Sequence, residues 1–134
     1  MQFRRATDED RERFNRFVAE AEFGHFLQFY EWGNVKSETG WQPLRVLVED
    51  RGEIQATAMG LLRRLPFPGR TLLYIPRGPV VNWNQGEPLQ TLWQGLKETA
   101  REHGAILVKV DPEVPVERDD VRAQLLTAGF RHFP

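Results

Sequence analysis

The segment 44–64 constrains the fold more than any other part of this sequence. Apolar and polar side chains nearly alternate over Leu44–Glu49, the pattern of a half-buried β-strand. Asp50-Arg51-Gly52 is typical of a tight hairpin turn, and Ile54–Arg64 is long enough to return as the antiparallel partner. The internal Gly60 predicts a bend or bulge in that second strand. We therefore expect a long β-hairpin near the middle of the chain.

Helices are predicted on both sides of the hairpin. Four helices are predicted from the helical spacing of apolar residues, from N-cap residues and from the glycines that end helices. They lie after Thr7, from Gln28 to about Thr39, from Pro88 to Gly104, and over Asp119–Ala128. Further strands are predicted at Gln2–Ala6, Thr71–Ile75, Ala105–Val110 and from Phe130 to Pro134. The first is expected on a sheet edge and the third in a buried position. Val80–Gly86 is predicted to be a loop. This mixed order favours an α+β fold with a mainly antiparallel sheet flanked by helices, as in GNAT-like (acyl-CoA N-acyltransferase-like) proteins.

Composition narrows the class of protein. The 134 residues suit one domain, and 40% hydrophobic residues with nine Phe provide a core. The absence of Cys excludes disulfides and thiol nucleophiles. With 18 basic and 19 acidic residues, no strongly basic field points to nucleic acid. The longest apolar runs, such as Leu72–Pro76, are too short to span a bilayer, so we expect a cytoplasmic protein with no membrane span.

Several kinds of catalytic site are also excluded. The chain has neither GxGxxG nor GxxxxGK[ST], the glycine-rich loops that hold phosphates. Its three histidines, His25, His103 and His132, lack metal-ligand spacing, and its single serine, Ser37, lies in no nucleophile elbow. The Gln/Arg-x-x-Gly-x-Gly/Ala loop with which GNAT proteins hold acyl-coenzyme A is absent as well.

Two stretches remain unexplained by packing alone. Aromatic residues crowd Phe26–Lys36, and the residue pattern allows either a buried helix face or a ligand-binding wall. In Tyr74-Ile75-Pro76-Arg77-Gly78-Pro79-Val80, two prolines flank Arg-Gly at a strand end. That motif is either a plain strand terminator or a rigid loop that grips a ligand.

As an ordered set, these stretches resemble the FemABX family of peptidoglycan aminoacyltransferases. The resemblance rests on Leu27-Gln28…Trp32…Lys36 and on Tyr74–Pro79, with GAILVKVDPE and LLTAGFRHFP in support. It covers nearly the whole chain and implies a GNAT-like fold. It further implies transfer of an amino acid from an aminoacyl-tRNA to an amine of a cell-wall precursor peptide, without a cofactor or metal.

The resemblance also implies roles for individual residues. Lys36 would contact the diphosphate of a UDP- or lipid-linked muramyl peptide, since Lys acts as a flexible point charge. Tyr30 and Trp32 would line the same cleft, although Trp32 suits the core equally well. Arg77, followed by Gly78, would supply a second cation to the substrate; the alternative is a salt bridge that stiffens the loop.

Asp111 is the predicted catalytic residue, because a carboxylate at this strand end can orient the attacking amine or accept its proton. Its alternative role is to cap the turn before Pro112. Members of the resembled family have two GNAT-like domains, so residues 1–134 are expected to be the first half of such a protein. Aminoacyl-tRNA would bind through the second, and this chain alone would be inactive.

Two other functions stay open at this point. One is a stand-alone acyltransferase that uses acyl-coenzyme A. The other is a non-catalytic binding or assembly module, such as a homodimer that completes its sheet through the last strand.

Overall fold

The computed structural model describes residues 1–132 and contains six strands and four α-helices there. They follow in the order β1 (Gln2–Arg5), α1 (Arg11–Glu20), α2 (Trp32–Ser37), β2 (Gln42–Asp50), β3 (Glu53–Arg64), β4 (Thr71–Ile75), β5 (Val80–Val81), α3 (Glu87–Glu102), β6 (Ala105–Val110) and α4 (Asp119–Thr127). Short 3₁₀ turns cover Asp8–Asp10 and Phe26–Gln28.

The predicted hairpin is the centre of the sheet. Strands β2 and β3 pair antiparallel over their length, and Arg51 and Gly52 connect them with φ angles of 53° and 81°. These left-handed angles are those of a two-residue type I′ turn. The sheet order is β1-β2-β3-β4-β6, with β5 also beside β3, and only the β4–β6 pair is parallel. This confirms the predicted α+β class, the edge position of β1 and the mainly antiparallel sheet.

Helices cover the two faces of the sheet unequally. On one face, α3 and α4 pack over a large cluster of apolar strand residues that includes Leu44, Leu73 and Ile75. On the other face, Phe14 and Val18 of α1 pack with Tyr30, Met59, Leu61 and Val80. Burial of these side chains supplies the main driving force for folding. Within residues 1–132 no helix combines the length and the apolar character needed to cross a membrane.

The predicted second helix is wrong in its extent. Instead of running from Gln28 to Thr39, the chain forms the 3₁₀ turn at Phe26–Gln28 and then the six-residue helix α2. Phe29 lies between the 3₁₀ turn and α2, and its ψ of 147° is extended rather than helical. The cause is long-range, because Gln28 turns inward to hydrogen-bond the backbone of β3. Gly40, with φ of 91°, ends the segment as predicted.

Two predictions about the strands near the hairpin need correction. Strand β3 does contain an irregularity, but not at Gly60: Val48 faces Ala56 and Glu49 faces Ile54, so the extra residue is Gln55. Gly60 is instead a point of close approach, where a Cβ would lie 2.9 Å from a methyl carbon of Leu73. The predicted loop after Pro79 begins with β5, whose two residues pair with β3.

Strand β6 is less buried than predicted. Among the described residues it pairs only with β4, and Ile106 and Leu107 are each 57% exposed, although α3 contacts the strand and Val108 and Val110 pack against the core. Phe130–His132 form no strand, and the remaining two residues of that predicted strand, 133 and 134, lie outside the described residues.

Candidate functional site

The buried side chain of Gln28 joins the two unexplained stretches of the sequence. It is 0% exposed, and its Nε2 donates to the carbonyl oxygens of Pro76 at 2.7 Å and Met59 at 3.2 Å. Its Oε1 accepts the N–H of Met59 at 2.8 Å. A second contact is made by the rings of Trp41 and Tyr74, whose centroids are 6.4 Å apart. The structure therefore brings Phe26–Trp41 and Tyr74–Val81 together.

The turn at Pro76–Pro79 ends β4 and carries Arg77 outward. Arg77 has φ of 55° and an exposed side chain, while its backbone N–H donates to Asp111. Gly78 is buried against Gln28, and a Cβ there would lie 2.5 Å from Cδ of Gln28. No side chain larger than hydrogen fits at Gly78 without displacing Gln28.

Asp111 follows the last residue of β6, at the end of the sheet where β4 also finishes. Because β4 and β6 are parallel, their C-terminal ends lie side by side, with Ile75 opposite Val110. One carboxylate oxygen of Asp111 accepts the hydroxyl of Tyr74 at 2.8 Å, and the other accepts the N–H of Arg77. Burial, and then the hydrogen bond to Asp111, raise the pKa of Tyr74 to about 12. Asp111 thus braces the Pro76–Pro79 turn, which differs from its alternative predicted role as a cap of the turn before Pro112.

An open cleft of about 560 Å³ lies beside this turn. It is lined by Phe23, Arg77 and the four residues Pro112–Pro115 that follow Asp111. One wall is therefore the segment after β6, and the other is formed by Phe23 and the Pro76–Pro79 turn. Arg77 and Glu113 put one charge of each sign into this cleft.

Lys36 lies outside that cleft, on α2. Its ammonium is 5.9 Å from the centroid of the Trp32 ring, and it forms no salt bridge with any residue from 1 to 132. The carbonyl of Lys36 accepts the N–H of Trp41, so α2 is tied to the ring that faces Tyr74. Trp32 is half-buried, with its ring edge-on to Phe26. Lys36 is thus linked to Trp41 through its backbone, and Arg77 lies on the turn that follows Tyr74.

Tyr30 lies in the core and is 4% exposed. Its hydroxyl donates to Asp8 at 2.8 Å, and the guanidinium of Arg45 lies 4.0 Å from its ring centroid. Burial, and then the hydrogen bond to Asp8, raise its pKa. In this structure Tyr30 anchors α2 to its surroundings, and its predicted contact with substrate stays a prediction. Arg45, which also donates to the carbonyl of Tyr30, was not singled out from the sequence.

A second feature that the sequence did not reveal is an ion network at the edge strand β1. Arg4 makes two hydrogen bonds of 2.8 Å to the carboxylate of Asp10 and a third to Glu49. Arg13 adds a salt bridge to Glu49. Hydrogen bonding to Arg4 is the main cause that holds the pKa of Asp10 well below its usual range and lowers that of Glu49. This network lies away from the cleft and is structural.

Comparison with known proteins gives consistent matches in sequence and structure. The profile of the FemAB family matches residues 10–129. The Staphylococcus aureus (strain MRSA252) protein named Lipid II:glycine glycyltransferase is 38% identical over 117 residues, which are 87% of this chain and 28% of that protein. The protein of the same name from strain USA300 is 37% identical over the same share of each chain.

Among solved structures, the crystal structure of FemX has a TM-score of 0.88 and 34% identity, covering 98% of this chain and 32% of that one. A probable acetyltransferase has a TM-score of 0.66 and 14% identity, covering 100% and 92%. An aminoglycoside N-acetyltransferase in complex with CoA has a TM-score of 0.67 and 11% identity, covering 98% and 92%. The last two show the fold alone, and they confirm the predicted GNAT-like architecture.

These matches confirm the resemblance that the sequence motifs indicated. The chain spans 28% of the length of the curated relatives it matches, so the activity of a whole protein of that length is a separate question. The matched residues include all of the Gln28, Pro76–Pro79 and Asp111 arrangement. The chain belongs to the FemAB family.

Proposed function

We propose that this chain is the precursor-binding part of an aminoacyltransferase whose parent protein adds an amino acid to the peptide of a peptidoglycan precursor. The observation that carries the proposal is the bracing of Asp111 by Tyr74 and Arg77 beside an open cleft, in a chain of the FemAB family. The name of the staphylococcal relatives, Lipid II:glycine glycyltransferase, supports a muramyl peptide as the acceptor.

The reaction we propose for the parent protein is the formation of an amide bond from an amine and an ester. The amine of the precursor peptide attacks the ester carbonyl of an aminoacyl-tRNA, a C–N bond forms, and the ester C–O bond breaks. Asp111 accepts a proton from the attacking amine and passes it to the ribose oxygen of the tRNA, which leaves as a hydroxyl. Each Asp111 oxygen accepts one hydrogen bond, so lone pairs remain for this proton. Holding amine and ester together contributes up to about 7–11 kcal/mol.

In this proposal the two cations bind the anionic part of the precursor. Arg77 contacts it at the mouth of the cleft, and Lys36 contacts its diphosphate. The rings of Trp41 and Tyr74, which join the two segments that carry these cations, offer a suitable surface for the apolar faces of a sugar. Gly78 keeps the turn close to Gln28, and Trp32 supports the Lys36 side chain.

We further propose that the parent protein has a second GNAT-like domain, which binds the aminoacyl-tRNA, and that residues 1–134 alone are inactive. The share of the relatives' length that this chain covers is consistent with that arrangement. Reading the gene beyond the codon for residue 134 tests it directly. A stop codon there would contradict the two-domain proposal.

Calorimetric titration with a UDP-linked muramyl pentapeptide tests the binding function. Lys36→Ala and Arg77→Ala are each expected to weaken binding about tenfold, because each removes one charged contact. The chain offers close controls. Lys97 also lies 5.9 Å from a tryptophan ring, that of Trp93, and Arg51 shares the left-handed backbone and exposed side chain of Arg77.

Lys97→Ala and Arg51→Ala are expected to bind like the wild type. Failure of the folded wild type to bind the precursor would sink the proposal. Equal loss in the control variants would remove the specific roles of Lys36 and Arg77. A rise in melting temperature with acetyl-coenzyme A, and none with the precursor, would favour the stand-alone acyltransferase instead.

A further inference from the structure

We infer that Gln28 is a positioning residue of the substrate cleft, and that its side-chain amide acts by taking the place of a strand residue in the sheet. The inference concerns how the Pro76–Pro79 turn is held, and its functional consequence rests on the function proposed above. Gln28 itself does not line the cleft.

The sheet has a gap next to the middle of β3. Strand β4 pairs with β3 from Leu61 to Arg64, and β5 pairs with it at Ala56 and Thr57. If the β4 register, in which Leu61 faces Tyr74, continued, Pro76 would lie opposite Met59. Proline has no N–H, so it cannot donate to the carbonyl of Met59 as a ladder residue must. Continuous pairing across the gap would therefore leave the carbonyl of Met59 without its ladder donor.

The side chain of Gln28 fills this gap with the hydrogen bonds that a strand would make. Its Nε2 donates to the Met59 carbonyl in place of the N–H that Pro76 lacks. Its Oε1 accepts the Met59 N–H, which would otherwise have bonded to Pro76, and Nε2 also donates to the Pro76 carbonyl. Among neutral side chains, a primary amide has two donor hydrogens and an acceptor oxygen. It can therefore satisfy the Met59 carbonyl, the Met59 N–H and the Pro76 carbonyl at once.

This substitution determines where Arg77 and Asp111 lie. The β3–β5 register is offset by two residues from the β3–β4 register, so the turn between β4 and β5 must leave the sheet. Gln28 fixes the start of that turn at Pro76 and packs against Gly78. Arg77 lies between these two points, with its N–H on Asp111 and its side chain at the cleft. Among residues 1–132 no other side chain hydrogen-bonds both Pro76 and β3, so loss of the amide is expected to loosen the start of the turn and with it the Arg77–Asp111 contact.

Amide hydrogen exchange tests the first half of the inference without any ligand. Gln28→Asn keeps the amide but shortens its reach by one methylene, and Gln28→Met keeps the length but removes the hydrogen bonds. In either variant the amides of Met59 and Arg77 are expected to exchange at least tenfold faster, while that of Val46, in the β2–β3 ladder, keeps its wild-type protection. Leu96→Ala, a core truncation on α3, serves as the control for general destabilisation and lacks this local pattern. Wild-type protection of Met59 and Arg77 in a folded Gln28 variant would overturn the inference.

Binding of the UDP-linked muramyl pentapeptide tests the second half through a double-mutant cycle. Arg77→Ala is expected to weaken binding about tenfold in the wild-type background but less than threefold in the Gln28→Asn background, since Arg77 is then already misplaced. Equal factors in both backgrounds would assign Gln28 to general stability. If the wild type does not bind this ligand, the proposed function fails, and the exchange experiment still decides how the turn is held.

Discussion

Replacing Gly78 by alanine tests the closest contact of the site. The added Cβ would lie 2.5 Å from Cδ of Gln28, 2.6 Å from its Oε1 and 2.9 Å from its Nε2. Ordinary contacts between carbon atoms are about 3.5–4.0 Å, so the two groups must separate by roughly 1 Å. Gln28 is fully buried and has no space into which it can move freely.

The expected loss of stability follows from the packing and the hydrogen bonds that this separation disturbs. Inserting a methyl group into a packed interior costs about 1–3 kcal/mol, and each weakened hydrogen bond of Gln28 adds about 0.5–1.5 kcal/mol. Loss of glycine flexibility in the unfolded chain returns about 0.4–1 kcal/mol. With one hydrogen bond weakened, we expect Gly78→Ala to lower the free energy of unfolding by about 2 kcal/mol, within a range of about 0.5–4 kcal/mol. Combining it with Gln28→Asn, which vacates space, is expected to cost less than the two single changes added together.

Urea unfolding followed by tryptophan fluorescence measures this loss. Gly86→Ala is the matched control, because its Cβ meets nothing within 4 Å and its φ is −82°. We expect that control to stay within about 0.5 kcal/mol of the wild type. If Gly78→Ala behaves like Gly86→Ala, the close packing of the turn on Gln28, and the reasoning built on it, is refuted.

Three further predictions concern charge, ionisation and burial. Arg4→Met is expected to lower the free energy of unfolding by about 1–2 kcal/mol at pH 7. Because the folded-state pKa of Asp10 is depressed, this loss should shrink in urea titrations as the pH falls below about 4. A loss independent of pH would contradict this. Asp111→Asn should bring the pKa of Tyr74 down from about 12, measured by ring-carbon NMR, and an unchanged pKa would exclude their hydrogen bond. Since that pKa lies above the ordinary value of about 10, the stabilisation by Tyr74 is complete below pH 10 and is lost as pH rises towards 12. Leu107→Ala should cost less than about 1 kcal/mol by urea unfolding, because this side chain is 57% exposed, and a loss of several kcal/mol would mean that β6 is covered.

Local signals made most of the fold predictable. The alternation over β2, the Arg51-Gly52 turn and the glycines that end helices act within a few residues of where they occur. Gly104, for example, has φ of 74°, as expected of the residue that ends α3. Where neighbouring residues decide the backbone conformation, the sequence alone is sufficient.

The wrong predictions share a long-range cause. The helix expected from Gln28 is shortened because Gln28 bonds to Met59, which is 31 residues away. How deeply β6 is buried depends on which elements pack against it, and the apolar composition of the strand does not reveal this. The Arg4 network likewise joins residues 45 positions apart.

The two motifs of the candidate site could be predicted from the sequence, but the contacts that hold them together could not. The ordered motifs identified Arg77, Gly78 and Asp111, which the structure brings together. Asp111 braces the Pro76–Pro79 turn by accepting hydrogen bonds from Tyr74 and Arg77, whereas the alternative predicted from the sequence was a cap of the turn before Pro112. A usable signal for Gln28 existed in the sequence: Pro76 ends a strand with no N–H, so a buried amide elsewhere was needed to complete the ladder.

Chemical-shift mapping of the precursor complex shows where on this chain the precursor binds. Backbone amide spectra of the chain are recorded while a UDP-linked muramyl pentapeptide is added. We predict saturable shifts clustered at Phe23, Arg77–Gly78 and Asp111–Val114, with a second group around Lys36. Shifts confined to the opposite edge of the sheet, at β1, or no shifts at all from the folded chain, would contradict the proposed binding site.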